Sequence, residues 1–148
     1  MDSDRPFDVP TGLHFDTDHH LWVEPSGNST RVRVGIDAIG LESLGELAYI
    51  ALQPVGTRCG RGGSVGTLEA AKMTSNIVAP VSGTLARRNE EVLRDPLRVN
   101  RSPYEEGWLF EIDATDWEAE SRRLVTGAAA AEWARREAER FEAESRAD

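Results

Sequence analysis

The chain predicts a mostly β domain, a sandwich or barrel of short strands, followed by one C-terminal helix. Three observations carry this. Short apolar-polar alternations recur along the chain, punctuated by Gly and Pro at intervals of about ten residues. Its 148 residues, 39% hydrophobic, hold enough apolar material for one core plus tails. Beyond about residue 116 the composition turns to Ala, Glu and Arg, with apolar residues at helical spacing.

The elements follow in order. Residues 1–18 read as a polar, flexible lead-in. A hairpin comes next: Leu21-Trp22-Val23, the turn Pro25-Ser26-Gly27-Asn28, then the period-two run Arg31 to Ile36. Ala38 to Leu44 has Ile39, Leu41 and Leu44 at the spacing of a short helix, closed by Gly45. Leu47 to Leu52 reads as a strand that Pro54 and Gly56 end. After a turn at Gly60-Arg61-Gly62-Gly63, two strands, Ser64 to Ala70 and Thr74 to Val78, flank Ala71-Lys72. Thr84 to Arg88 makes another strand, and the segments Leu93 to Pro96 and Ser102 to Tyr104 read as loops. Trp108, Phe110 and Ile112 alternate with Leu109, Glu111 and Asp113 in a last strand. The domain therefore spans 19–115. Residues 116–148 form a helix that packs Trp133 and Phe141 on the sheets, with Glu132–Arg136 and Glu142–Arg146 as outward pairs and a polar tail.

Charge and composition remove several function classes. The formal net charge is −9, which keeps a chain soluble and monomeric and disfavours nucleic acid and anionic membranes. No apolar run reaches bilayer length. The N-terminus, MDSDRPFDVP, lacks the apolar stretch of a secretory signal and the Arg-rich character of a transit peptide. Cys59 is the only cysteine, which suits a reducing cytoplasm.

Of the 17 basic residues, 16 are Arg and one, Lys72, is Lys. Coding bias accounts for most of the depletion. Arg replaces Lys wherever only positive charge is needed, but its guanidinium stays protonated and cannot be acylated as an amine can. Lys72 is thus the candidate for amine chemistry. It sits in Thr67-Leu68-Glu69-Ala70-Ala71-Lys72-Met73-Thr74-Ser75-Asn76-Ile77-Val78, at the expected tip of a β-hairpin. A swinging-arm carrier needs an amine held out in this way, rigid on both sides and solvated at the tip. Glu69 offers a recognition charge nearby.

The sequence resembles the glycine cleavage system H-protein, a member of the lipoyl/biotinyl domain superfamily, over about residues 19–125. The likeness rests on His20-Leu21-Trp22-Val23, Val34-Gly35-Ile36, Leu44-Gly45-Glu46, Pro54-Val55-Gly56-Thr57, Glu69-x-x-Lys72 and Ala79-Pro80-Val81-Ser82-Gly83. The most discriminating run is Val99-Asn100-x-x-Pro103-Tyr104-x-x-Gly107-Trp108-Leu109. The resemblance implies a barrel-sandwich hybrid of small antiparallel sheets with a C-terminal helix and lipoate attached covalently to Lys72. It implies a non-catalytic carrier that shuttles an aminomethyl group and electrons. Its partners would be a pyridoxal-phosphate glycine decarboxylase, an aminomethyltransferase and dihydrolipoamide dehydrogenase. A lipoate-protein ligase or the lipoyl synthase system would load it, with Glu69 recognised by ligase or partner.

The tip departs from the usual family pattern. Ala70 and Ala71 stand for Ser-Val, Met73 and Thr74 for a small pair, and Asn76 and Val78 for an acid and a Tyr. Such a tip would also suit an H-protein-like lipoate-binding carrier that serves sulfur oxidation with a heterodisulfide-reductase-like complex. A biotinyl carrier is disfavoured because Glu69-Ala70-Ala71-Lys72-Met73 lacks a Met before the lysine. An unmodified interaction module and an independent enzyme complete the alternatives. No nucleophile motif supports a hydrolase. His14, His19 and His20 read as a solvated cluster rather than a metal site, and Cys59 as a free small hydrophobe. Gly60 to Gly63 reads as a hairpin turn rather than an anion cradle, and Tyr104 and Trp108 as either the walls of an arm groove or core anchors.

Overall fold

A computed structural model describes residues 9–27 and 30–147 of the chain. Residues 1–8 of the expected lead-in, Asn28 of the expected turn and the side chain of Arg146 lie outside the described residues.

Ten strands and five α-helices are present among the described residues. They are β1 (His14–Asp16), β2 (Leu21–Pro25), β3 (Arg31–Ile36), α1 (Ala38–Leu44), β4 (Leu47–Leu52), β5 (Arg58–Cys59), β6 (Ser64–Ala70), β7 (Thr74–Val78), β8 (Gly83–Arg88), α2 (Glu90–Arg94), α3 (Leu97–Arg101), β9 (Phe110–Ala114), α4 (Trp117–Glu120), β10 (Val125–Thr126) and α5 (Gly127–Ala147). A seven-stranded sheet runs β10-β1-β2-β3-β9-β8-β5, and a three-stranded sheet runs β4-β6-β7. Every pairing is antiparallel. The mostly β expectation holds, as two open sheets rather than a closed barrel.

Alternation decides which face each strand buries. In β3, Val32, Val34 and Ile36 enter the main core with Leu68 and Ile77 of the smaller sheet. The intervening Arg33 turns to the other face, where its guanidinium lies 4.4 Å over the Trp108 ring and pairs with Glu111 at 2.8 Å. Glu111 is buried, and Arg31 and Arg87 approach it as well, so its charge is well compensated.

A second apolar cluster joins the large sheet to α5. Phe15, Trp22, Ile39 and Trp108 meet Ala130, Trp133 and Ala134 there, with Phe141 packed at the edge. Residues 130, 133, 134 and 141 fall on one helix face, as the helical spacing predicts. The ion pairs along α5 among the described residues are Glu132–Arg135, Arg135–Glu139 and Glu137–Arg140, in place of the expected Glu132–Arg136.

Four expectations need correction. Part of the lead-in is β1, because Phe15 is wholly buried against Trp133 and His14–Asp16 hydrogen-bond with Leu21–Val23. The stretch after residue 116 is not one helix. Glu120 caps Ser82 by accepting from its amide and hydroxyl, and Val125–Thr126 leave the helical path to pair with β1. Strands outside 19–115 therefore complete the sheet. Finally, two expected loops are framed by the one-turn helices α2 and α3, whose buried Val92 and Val99 pin them to the core.

Candidate functional site

Lys72 lies at the tip of the β6–β7 hairpin, exposed to solvent. Register pairs Leu68 with Ser75 and Glu69 with Thr74, and the Ala70 amide donates to Met73 O at 2.8 Å to close the turn. Leu68 and Ile77 root the two strands in the core, so the tip is carried on a fixed base.

The tip is also held from below. The Ala71 amide donates to Glu46 O at 2.9 Å, and the Lys72 amide donates to Leu44 O at 3.2 Å. The Lys72 ammonium donates to Glu42 O at 3.1 Å. Glu42 O is one of the carbonyls that the last turn of α1 leaves without an intrahelical partner, and a cation is favoured there. Gly45 makes this approach possible. Its φ of 81° lies in the left-handed region, and a Cβ there would sit 3.3 Å from Ala71 Cβ and 3.6 Å from two Lys72 methylenes.

A cleft of about 250 Å³ opens beside the tip. Leu21, Ile36, Leu44, Leu68, Met73 and Ile77 supply apolar walls, and His19, His20, Ser43, Ser75 and Asn76 supply polar ones. Met73, Asn76 and Val78, where the chain departs from the usual family pattern, all line it. Glu69 points elsewhere. It is exposed on the outer face of the smaller sheet, in a shallow hollow with Tyr49, Thr67 and Thr74.

His20 sits at the cleft with a φ of 57°, and two hydrogen bonds join it to Asp37. The Asp37 amide donates to His20 O at 2.9 Å, and His20 Nδ1 lies 3.3 Å from Asp37 Oδ1. Burial of the imidazole pushes its pKa down, but the hydrogen bond and charge of Asp37, aided by Glu137, outweigh this and leave it raised. Asp37 is itself buried and caps α1 by accepting from the Gly40 amide.

The three histidines do not form the solvated cluster expected. His14 packs edge-on against Trp117 at 5.1 Å, and burial lowers its pKa. His19 bonds Asp16, and His20 packs against Trp133 with the two rings tilted by 35°. Among the described residues no group of three or more His, Cys, Asp or Glu could hold a metal ion. Cys59 is half-buried, its thiol pKa pushed up by burial. Tyr104 and Trp108 are anchors rather than walls of the cleft: the Tyr104 hydroxyl accepts from the Ala38 amide, and Trp108 is buried in the α5 cluster. No helix among the described residues is long and apolar enough to cross a membrane.

Residues 13–137 match the family described as glycine cleavage H-protein. The chain is 44% identical over 108 residues to the glycine cleavage system H protein of Micrococcus luteus, covering 73% of this chain and 84% of that one. It is 39% identical over 109 residues to the protein of that name from Mycobacterium avium, covering 74% and 81%. The crystal structure of a glycine cleavage system H protein from Mycobacterium marinum superposes with a TM-score of 0.67 at 32% identity, covering 72% of this chain and 87% of that one. Strands, lysine hairpin and closing helix thus occur in a chain that belongs to the glycine cleavage H-protein family.

Proposed function

We propose that this protein is the lipoyl carrier of a glycine cleavage system, loaded by an amide bond between lipoate and Lys72 Nζ, and that it is a carrier subunit rather than an enzyme. The observation that carries the reading is the sole lysine of the chain, exposed on the tip of a hairpin whose base is locked in the core. Family membership favours glycine cleavage over the sulfur-oxidation and biotinyl alternatives.

The residues suit the group. An exposed amine is open to the loading enzyme, a lipoate-protein ligase or the lipoyl synthase system. The neighbouring apolar cleft is of a size and character to shelter a short aliphatic arm and its ring. The bound lipoyl group supplies a dithiolane that accepts electrons and a substrate fragment by thiol–disulfide chemistry. Everything else falls to the chain. The latch at Glu42, Leu44 and Glu46 fixes where the arm begins. The cleft walls exclude water from whatever the arm carries. Acylation removes the Lys72 charge, leaving exposed Glu42 and Glu46 beneath the tip to meet basic docking faces. Glu69, set apart on the outer face, serves recognition by ligase or partner.

The partners are a pyridoxal-phosphate glycine decarboxylase, an aminomethyltransferase and dihydrolipoamide dehydrogenase. Once docked, a tethered arm works at an effective concentration of about the millimolar range. The protein acts as a cytoplasmic monomer, consistent with its charge of −9 and single cysteine. Reconstitution tests the reading. Lipoylated wild-type protein supports glycine decarboxylation by the three partner enzymes, whereas Lys72→Arg, which keeps the charge but cannot be acylated, gives none. Equal turnover with Lys72→Arg would overturn it.

A further inference from the structure

The run from Val99 to Leu109 is the most discriminating stretch of the sequence, yet Lys72 donates its hydrogen bonds to the last turn of α1 instead. The contacts of the run give it a task. Val99 is wholly buried in the main core and anchors α3. Pro103 O accepts from Trp22 Nε1 at 2.8 Å, and the Gly107 amide donates to Ser102 O at 2.7 Å. A Cβ at Gly107 would meet Ser102 O at 2.6 Å, so the loop closes tightly on α3. From this platform two side chains reach the two ends of α1. The Tyr104 hydroxyl accepts from the amide of Ala38, the first residue of α1, at 2.9 Å. Asn100 takes the other end. Its Nδ2 donates to Gly45 O at 3.1 Å, and its Oδ1 accepts from the Leu47 amide at 2.9 Å.

Gly45 and Leu47 interleave with the residues whose carbonyls hold the hairpin tip. Leu44 O and Glu46 O, which accept from Lys72 and Ala71, alternate with the two groups that Asn100 binds. One amide side chain, with one donor and one acceptor, thus fixes the backbone of 44–47, and that backbone fixes the tip. The left-handed Gly45 needs such support, since glycine is the residue most free to leave its conformation.

We propose that Asn100 is the positioning residue for Lys72. It acts through the α1–β4 connection, and its role is to present the amine in one orientation to the enzyme that acylates it. This rests on the carrier reading for the word acylation. The mechanical part stands without it.

The test combines amide exchange with acylation kinetics on the full chain. Asn100→Ala removes both hydrogen bonds. Asn100→Asp keeps the acceptor for Leu47 but replaces the donor to Gly45 O with a repelling oxygen. Phe15→Leu, in the α5 cluster, serves as a control for general loss of stability. The expected result is that exchange at the Ala71 and Lys72 amides rises by at least roughly fivefold in Asn100→Ala, the factor that one of the two lost hydrogen bonds is worth. Asn100→Asp falls between it and wild type. Phe15→Leu leaves these two amides unchanged, although it lowers Tm. With a lipoate-protein ligase and lipoate, KM for Asn100→Ala as protein substrate rises by a similar factor, and kcat changes less than about twofold. Unchanged tip exchange and unchanged KM in an Asn100→Ala protein that merely melts earlier would overturn the proposal. If wild type accepts no lipoate at all, the carrier reading fails, while exchange at the tip still decides the role of Asn100.

Discussion

Lys72 and His20 show how single residues are tuned by backbone as much as by side chains. The lysine ammonium rests on Glu42 O at the end of α1, and Arg at this position could supply charge but not an acylable amine. His20 lines the cleft and is bonded to buried Asp37. Its folded pKa is raised, so its contribution to stability is fully present below the ordinary value near 6.5 and is lost as pH rises through the folded value. His14 works in the opposite sense, because its folded pKa is lowered and protonation there costs stability as pH falls. A His20→Gln variant isolates the first effect. In urea unfolding, the stability gap between wild type and variant is expected to be larger at about pH 5.5 than at about pH 8. A gap that widens with rising pH would contradict the assignment of the Asp37 contact.

Among the elements, α5 gives the most exposed claim. Trp133 packs against Phe15 at 5.7 Å and against His20 at 5.7 Å, so the helix closes the edge of the large sheet and backs the cleft. Trp133→Ala should destabilise the protein by about 3 to 5 kcal/mol, read as a lower urea midpoint at an unchanged m-value. A loss below about 1 kcal/mol would mean that α5 is not part of the cooperative unit. Elements with strong local signals were legible in the sequence. β4, β6, β7 and α1 fall where alternation, Gly45 and the turn residues place them. The misses share a cause: β1 and β10 are three and two residues long, and α2 and α3 span five each, too short for any period to register. Their existence depends on long-range contacts, such as Phe15 against Trp133 and Val99 in the core, that no local pattern encodes.

The same division holds for the whole molecule. The lysine could be found because it is chemically unlike the Arg that replaced it everywhere else. The latch could not, since Glu42, Leu44 and Glu46 act through carbonyl oxygens that every residue owns. The cleft likewise gathers residues from β2, β3, α1, β6 and β7, and only the two-sheet packing brings them together. The two sheets and α1 together set the Lys72 amine beside this cleft.

Mass analysis of the protein made in cells competent for lipoylation addresses that claim most directly. The account predicts a gain of one lipoyl group, mapped by peptide fragmentation to Lys72 and absent from Lys72→Arg. A wild-type protein recovered wholly unmodified from such cells, or modified at any other residue, would contradict it.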